Sequence, residues 1–319
     1  MRLFFNPHSG YLLKTIMYKY IIFLLAVVTA AGCRDARIEE HPEWERFFKE
    51  HQVQGALEYI DNNKERVLFY NKEFNSTPLT AGSTYQIFAA LVAIESAVAP
   101  TEQFRIPWDG QYYSFVNGQV NVITDTNTPG YRADWSRDLT LSEAFRVNAF
   151  PYFQQLTRKI TQAEMRHFID TIKYGNRKYE GDLVNFWNNG TLLISPDEQL
   201  GLLKRLYHGE LKGFTERSQR VTRALFDKKA EQDYTVYSKK FTIRHNDTIV
   251  VQYLGFVEKI KNLKNPKTGN IDPIPHPYFY VLSIYDTDPS KDLDAIADKI
   301  FGQVFTETDL KKSFDNLGE

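Results

Sequence analysis

The chain has 319 residues, 42% of them hydrophobic and 14% aromatic, which is enough to fill a core and argues against disorder as its main state. Its formal charge is -1, with 39 basic against 40 acidic residues, so no basic excess exists to neutralise phosphates and no nucleic-acid partner is expected. A single cysteine excludes an internal disulfide framework and a Cys-rich zinc site. The seven histidines are scattered without metal-ligand spacing, so neither a metal nor another cofactor is expected.

The N-terminus carries an address. Met17-Tyr18-Lys19-Tyr20 is a short basic start, better placed than Met1, and Ile21 to Ala31 is an apolar run. That run is too short to span a bilayer, which takes about 20 apolar residues. Basic start, short apolar centre and small residues before a cut site are the layout of a secretory signal. Thr29-Ala30-Ala31-Gly32-Cys33 resembles a bacterial lipobox, with Ala30 where that pattern often has Leu. The resemblance implies cleavage before Cys33, its lipidation, and a membrane-anchored, extracytoplasmic protein of the periplasm or outer membrane. An ordinary signal peptide followed by a buried structural cysteine is the alternative. Residues 1–32 are thus read as signal, 33–40 as lipidated cysteine and tether, and 41–319 as the folded domain.

Within that domain His41 to His51 has Trp44, Phe47 and Phe48 at helical spacing. Gln54 to Asp61 and Arg66 to Tyr70 are β-prone runs around Asn62-Asn63-Lys64-Glu65, a hairpin signal. Thr84 to Ala99 reads as a buried helix, and Gly110 to Gly130 as a long exposed excursion. Apolar spacing is mostly helical from Leu141 to Phe226. Strands follow at Tyr234 to Arg244, Thr248 to Lys259 and Tyr278 to Tyr285, then a last helix from about Ser290 to Val304. Strands at both ends around a helical middle predict an α+β fold: an antiparallel sheet flanked by N- and C-terminal helices, with a helical subdomain inserted.

An ordered set of segments resembles the class D β-lactamases and the penicillin-binding transpeptidases. It comprises Ala81 to Gln86 with Ala90 to Ser96, Trp108-Asp109-Gly110, Asp138 to Leu141, Pro151 to Gln155, Tyr174-Gly175-Asn176, Phe186-Trp187, Ile194-Ser195, Tyr253 to Glu258 and Tyr278 to Tyr280. That family works through S-x-x-K, a second serine and K-T-G. The resemblance implies that Ser83 stands at the nucleophile position with Gln86 in place of the lysine. A carboxamide has no titratable proton and cannot act as a base. Ser83-x-x-Gln86 also fits a helix capping box, the reading preferred over nucleophilic catalysis. Asn148 replaces the second serine, and Lys239-Lys240-Phe241 replaces K-T-G. Phe241 is expected to crowd the cleft, and Phe150 to fill the space of the missing lysine. Tyr174, Trp187 and Lys240 are further cleft candidates by resemblance, with a core aromatic the alternative for Trp187 and turn geometry for Tyr174. A literal Lys267-Thr268-Gly269 lies in a turn composition and is set aside. Asp294 falls where class D enzymes commonly carry a carboxylate-gripping arginine. Together these imply a non-hydrolytic envelope lipoprotein that binds a peptidoglycan-related ligand or an envelope protein. The alternative is a penicillin-interactive serine enzyme acylated at Ser83: a slow β-lactamase, transpeptidase or carboxypeptidase.

Overall fold

The computed structural model describes residues 37–182, 184–230, 234–264, 267 and 269–307; the expected signal segment, Cys33 and most of the expected tether lie outside them. The described residues from Glu39 onward form one compact unit. Strands β1 (Ile38–Glu40), β2 (Gln54–Asp61) and β3 (Arg66–Tyr70) open the chain, with helix α1 (Glu45–Glu50) between the first two and the short α2 (Lys72–Asn75) after the third. A 3-10 turn, Gly82–Thr84, then leads into α3 (Tyr85–Glu95). The middle holds short strand pieces β4 (Leu79–Thr80), β5 (Arg105–Ile106), β8 (Leu139–Thr140) and β9 (Leu193–Ile194), and the hairpin β6 (Tyr112–Val116) with β7 (Gln119–Ile123). Helices α4 (Leu141–Arg146), α5 (Phe150–Lys159), α6 (Gln162–Ile172), α7 (Pro196–His208) and α8 (Glu216–Arg223) complete it. The C-terminal part is β10 (Asp227–Ala230), β11 (Tyr234–His245), β12 (Thr248–Lys264), β13 (Ile271–Asp286) and α9 (Leu293–Glu307).

Seven strands make one sheet in the order β1-β3-β2-β13-β12-β11-β10. The pairings from β3 across to β10 are antiparallel. First and last segments therefore meet at β2 and β13, where Tyr59 pairs with Tyr280. On one face Phe47 and Phe48 of α1, with Leu293, Ala297 and Ile300 of α9, cover Leu57, Tyr59, Val257 and Tyr280. The other face carries the helical layer, centred on α3. Every residue from Tyr85 to Ile94 is buried, which is the condition a helix apolar on all sides requires. Both faces being covered, β13 is buried without interruption from Tyr278 to Ile284.

Three segments differ from the sequence reading. Gly110 to Gly130 contains an ordered hairpin: Val116 pairs with Gln119 around Asn117-Gly118, and both turn residues have positive φ (50° and 79°), as a tight two-residue turn demands. β12 and β13 run on well past Lys259 and before Tyr278, pairing with each other beyond the rest of the sheet. Lys267 and Gly269 lie in the connection between them, so that stretch is not a sheet strand; Thr268 is outside the described residues. β10 is a fourth C-terminal strand, exposed along its length, and so without the apolar alternation that announces one.

Candidate functional site

Chain entry into α3 fixes the environment of Ser83. Ala81 N donates to Leu192 O (3.0 Å) and Gly82 N to Trp187 O (2.7 Å), and Gly82 turns at φ +52°. Ala81, Thr84 and Tyr85 flank and close the 3-10 turn with right-handed helical backbone. Neither side-chain atom of Gln86 has a hydrogen-bond partner among the described residues, so the expected capping box does not form. Thr84 Oγ1 instead donates to Ala81 O (2.6 Å) and accepts from Gln199 Nε2 of α7 (2.5 Å). Ser83, 8% exposed, donates its Oγ to Thr242 O of β11 (3.2 Å). That oxygen can receive the hydroxyl proton in a hydrogen bond but is far too weakly basic to remove it.

One turn further, Gln86 is 0% exposed, and neither Nε2 nor Oε1 has a partner among the described residues. Trp187 Nε1 and Asn148 Oδ1 are buried and unpartnered in the same sense. The Trp187 ring stacks on Tyr85 (centroids 5.2 Å apart) and packs at a tilt on Phe150 (4.6 Å). Phe150 and Trp187 therefore form one aromatic packing unit beside the head of α3. Tyr174 stacks on Phe88 (4.4 Å), and burial raises its phenol far above the usual range.

Strand β11 supplies the opposite wall. Its alternation sends Lys239 and Phe241 inward and Lys240 and Thr242 to the other face. Lys239 Nζ donates to Arg146 O at the end of α4 (2.7 Å), and burial lowers its ammonium to about 8, against a weaker opposing pull from Asp227. Phe241 is 0% exposed, edge-on to Phe145. It fills the core beneath the strand, so the expected crowding of the cleft by its ring is not what the structure shows. Lys240 is also displaced from the expected cleft. It pairs with Asp298 (3.0 Å) and Asp294 (3.7 Å) of α9.

β10 pairs with β11 only from Thr235 to Ser238, so beyond that the outer edge of β11 has no partner strand among the described residues. Side chains and a turn occupy it instead. Asn148, at φ +53° between α4 and α5, donates Nδ2 to Lys240 O (3.1 Å), and Ser83 takes Thr242 O. The Asn117-Gly118 turn lies on the next step, where a Cβ on Gly118 would come within 2.6 Å of Arg244 N. Only glycine permits that approach. Asn117 Nδ2 ties the turn to Pro289 O (3.1 Å).

The structure thus brings Ser83, Asn148 and the Lys239–Thr242 strand together, and keeps Gln86, Phe150, Tyr174, Trp187 and Phe241 in the core. Thr242, Gly118 and Arg244 were not anticipated. The Asn117-Gly118 dipeptide was a turn signal, whereas nothing local marks a turn that docks on a strand far along the chain. Three surface cavities are lined by other residues than Ser83 or Gln86. No group of three or more His, Cys, Asp or Glu able to hold a metal occurs among the described residues.

Ser83 thus stands at the head of a buried central helix, against strand β11 of the antiparallel sheet. The chain belongs to the penicillin binding protein transpeptidase domain family, which residues 52–233 match, and its fold is class D β-lactamase-like. It is 27% identical over 242 residues to the β-lactamase OXA-48 of Klebsiella pneumoniae, covering 76% of this chain and 84% of that one. It is 28% identical over 171 residues to the regulatory protein BlaR1 of Bacillus licheniformis, covering 54% of this chain and 26% of the regulator. Among solved structures, the class D β-lactamase of Sebaldella termitidis superposes with a TM-score of 0.69 at 20% identity, covering 85% of this chain and 97% of that one. The C-terminal domain of the B. licheniformis BlaR penicillin-receptor gives 0.67 at 22% identity, covering 84% and 95%.

Proposed function

We propose that this chain is a non-hydrolytic member of its family, an envelope lipoprotein held to the membrane through Cys33 that binds a peptidoglycan-related ligand or a protein partner. The observation that carries the reading is Gln86. One turn beyond Ser83, where acyl transfer needs a proton acceptor, stands a buried carboxamide with no hydrogen-bond partner among the described residues and no basic lone pair to offer. The nearby amine, Lys239, is directed at Arg146 O instead. Loss of a general base alone lowers rate by about 10²–10⁴-fold. The occupied edge of β11 works in the same direction, because Asn148 and Ser83 take the carbonyls that an extended ligand would meet. That one relative is a regulatory protein, with a domain described as a penicillin-receptor, agrees with binding without turnover.

The test is intact-mass spectrometry after prolonged incubation with benzylpenicillin and with a carbapenem. No adduct is expected. A stoichiometric adduct on Ser83, absent in Ser83→Ala, would replace this reading with that of an acylated serine enzyme.

A further inference from the structure

We propose that the part of the β12–β13 ribbon that projects beyond the sheet is a membrane-contacting element, which lays its isoleucines and lysines into the lipid interface to which Cys33 is anchored. The proposal rests on the lipid anchor of the reading above, and names the part of the fold that meets the same bilayer.

Chain geometry brings the anchor and the ribbon to one end of the sheet. β2 stops pairing with β13 at Asp61 and Tyr278, and β11 stops pairing with β12 at Tyr234 and Lys259. Beyond those pairs β12 and β13 continue alone, from Ile260 opposite Pro275 to Lys264 opposite Ile271, about 17 Å of two-stranded ribbon. Arg66 pairs with Asp61 and so marks the same end. It donates Nε and Nη2 to the Glu39 carboxylate (2.9 and 2.7 Å), while His41 N donates to Phe69 O (2.8 Å). β1 therefore runs away from this end, with its start facing it. Cys33 is six residues before Glu39, a length of chain that spans at most about 21 Å. A lipid on Cys33 is confined to within about that distance of the end from which the ribbon projects.

The ribbon's surface suits that position. Ile260, Ile271 and Ile274 are 50%, 67% and 40% exposed, half of the six large hydrophobic side chains exposed among the described residues. Single exposed apolar side chains are ordinary, whereas a concentration of them marks a contact surface. Side chains alternate along each strand, so Ile260 and Ile271 share one face and Ile274 lies on the other. A protein partner seated on one face leaves the other in water, but a lipid interface surrounds both. Residues 259–277 carry Lys259, Lys261, Lys264 and Lys267 against Asp272 alone, in a chain whose total charge is -1. Apolar side chains interspersed with lysines match an anionic headgroup layer over an acyl boundary. Pro273, Pro275 and Pro277 share one parity, and the ladder with β12 tolerates them because that parity faces the open edge. That edge has no N–H at any of the three positions. It therefore resists the addition of another strand and has fewer backbone groups to desolvate in lipid.

The experiment uses the unlipidated Cys33→Ser full chain, in which an added thiol is the only one. Ile271→Cys and, in the β11–β12 turn at the opposite end of the sheet, Asp247→Cys are each labelled with an environment-sensitive fluorophore. Both are titrated with vesicles of equimolar phosphatidylglycerol and phosphatidylethanolamine, and with phosphatidylcholine vesicles. The probe at 271 is expected to shift to shorter wavelength on the anionic vesicles and to be quenched by nitroxide lipid, while the probe at 247 stays in water. Ile260→Ser with Ile274→Ser is expected to weaken that partition about tenfold or more, since two isoleucines no longer leave water. No shift at 271 at millimolar lipid, an equal shift at 247, equal partition onto phosphatidylcholine, or partition unchanged in I260S/I274S would each overturn the ribbon's role. The two readings fail separately. The intact mass of the native chain reads its acyl chains and so tests the anchor, whereas the vesicle titrations are made without any acyl chain and test the ribbon alone.

Discussion

Replacing Gln86 by leucine should make this protein more stable. The side chain is fully buried in α3, and both polar atoms lack a partner among the described residues. A buried polar group left without a hydrogen bond costs roughly 1–3 kcal/mol relative to water. Leucine occupies nearly the same volume and brings no polar atom, so the packing around Tyr85, Phe88 and Trp187 need not move. The expected gain is about 1–3 kcal/mol, which for a domain of this size raises Tm by about 3–9 °C. Urea unfolding monitored by circular dichroism reads it directly, as a higher midpoint with an unchanged slope. A loss of more than about 1 kcal/mol in Gln86→Leu would refute the reasoning. It would mean that the amide is hydrogen-bonded in the folded protein, through an internal water or a ligand. Gln86→Lys makes the opposite change, placing an ammonium where nothing receives it, and should destabilise the chain. A lysine variant as stable as the native protein would show a partner at this position.

Glu58 and Lys239 should together give a stability minimum near pH 8. The Glu58 carboxyl is raised from its ordinary 4.5 to about 8, chiefly by burial and then by the Asp197 carboxyl beside it. Between those values the unfolded chain releases this proton while the folded chain keeps it, so stability falls as pH rises. Lys239 is lowered by burial from its ordinary 10.5 to about 8. Above that the folded chain has shed a proton the unfolded chain still holds, and stability rises with pH. The contributions are at most about 5 kcal/mol for Glu58 and about 3 kcal/mol for Lys239. In urea titrations across pH, Glu58→Gln should remove the fall and Lys239→Met the rise, and profiles unchanged by either variant would count against the assignment. Phe241→Ala should cost about 3–5 kcal/mol, the value for a fully enclosed aromatic; a loss below 1 kcal/mol would place the ring in an open cleft after all. Cys33→Ser should move the protein from the membrane fraction of a native host to the soluble envelope fraction, and unchanged fractionation would remove the lipid anchor from the proposal.

Local information settled a good deal of this protein. The β2–β3 hairpin was legible to the residue because a polar turn separates two β-prone runs, and α3 was legible because its apolar run is unbroken. That residue 86 is a carboxamide and not a lysine was legible too, since it depends on residue type and not on coordinates. What Ser83 does instead was not. Its hydroxyl could have capped α3, and only the 3-10 entry and the arrival of Thr242 O decided otherwise. The direction of Phe241 and Lys240 turned on which face of β11 meets the helical layer, a property of sheet register and not of the segment Ser238 to Thr242. β10 escaped notice because an exposed edge strand has no apolar period to detect. The docking of Asn117-Gly118 on Arg244 joins segments more than a hundred residues apart. Side-chain chemistry is carried by each residue wherever it stands, whereas contact across the fold is set by the packing of all the elements at once.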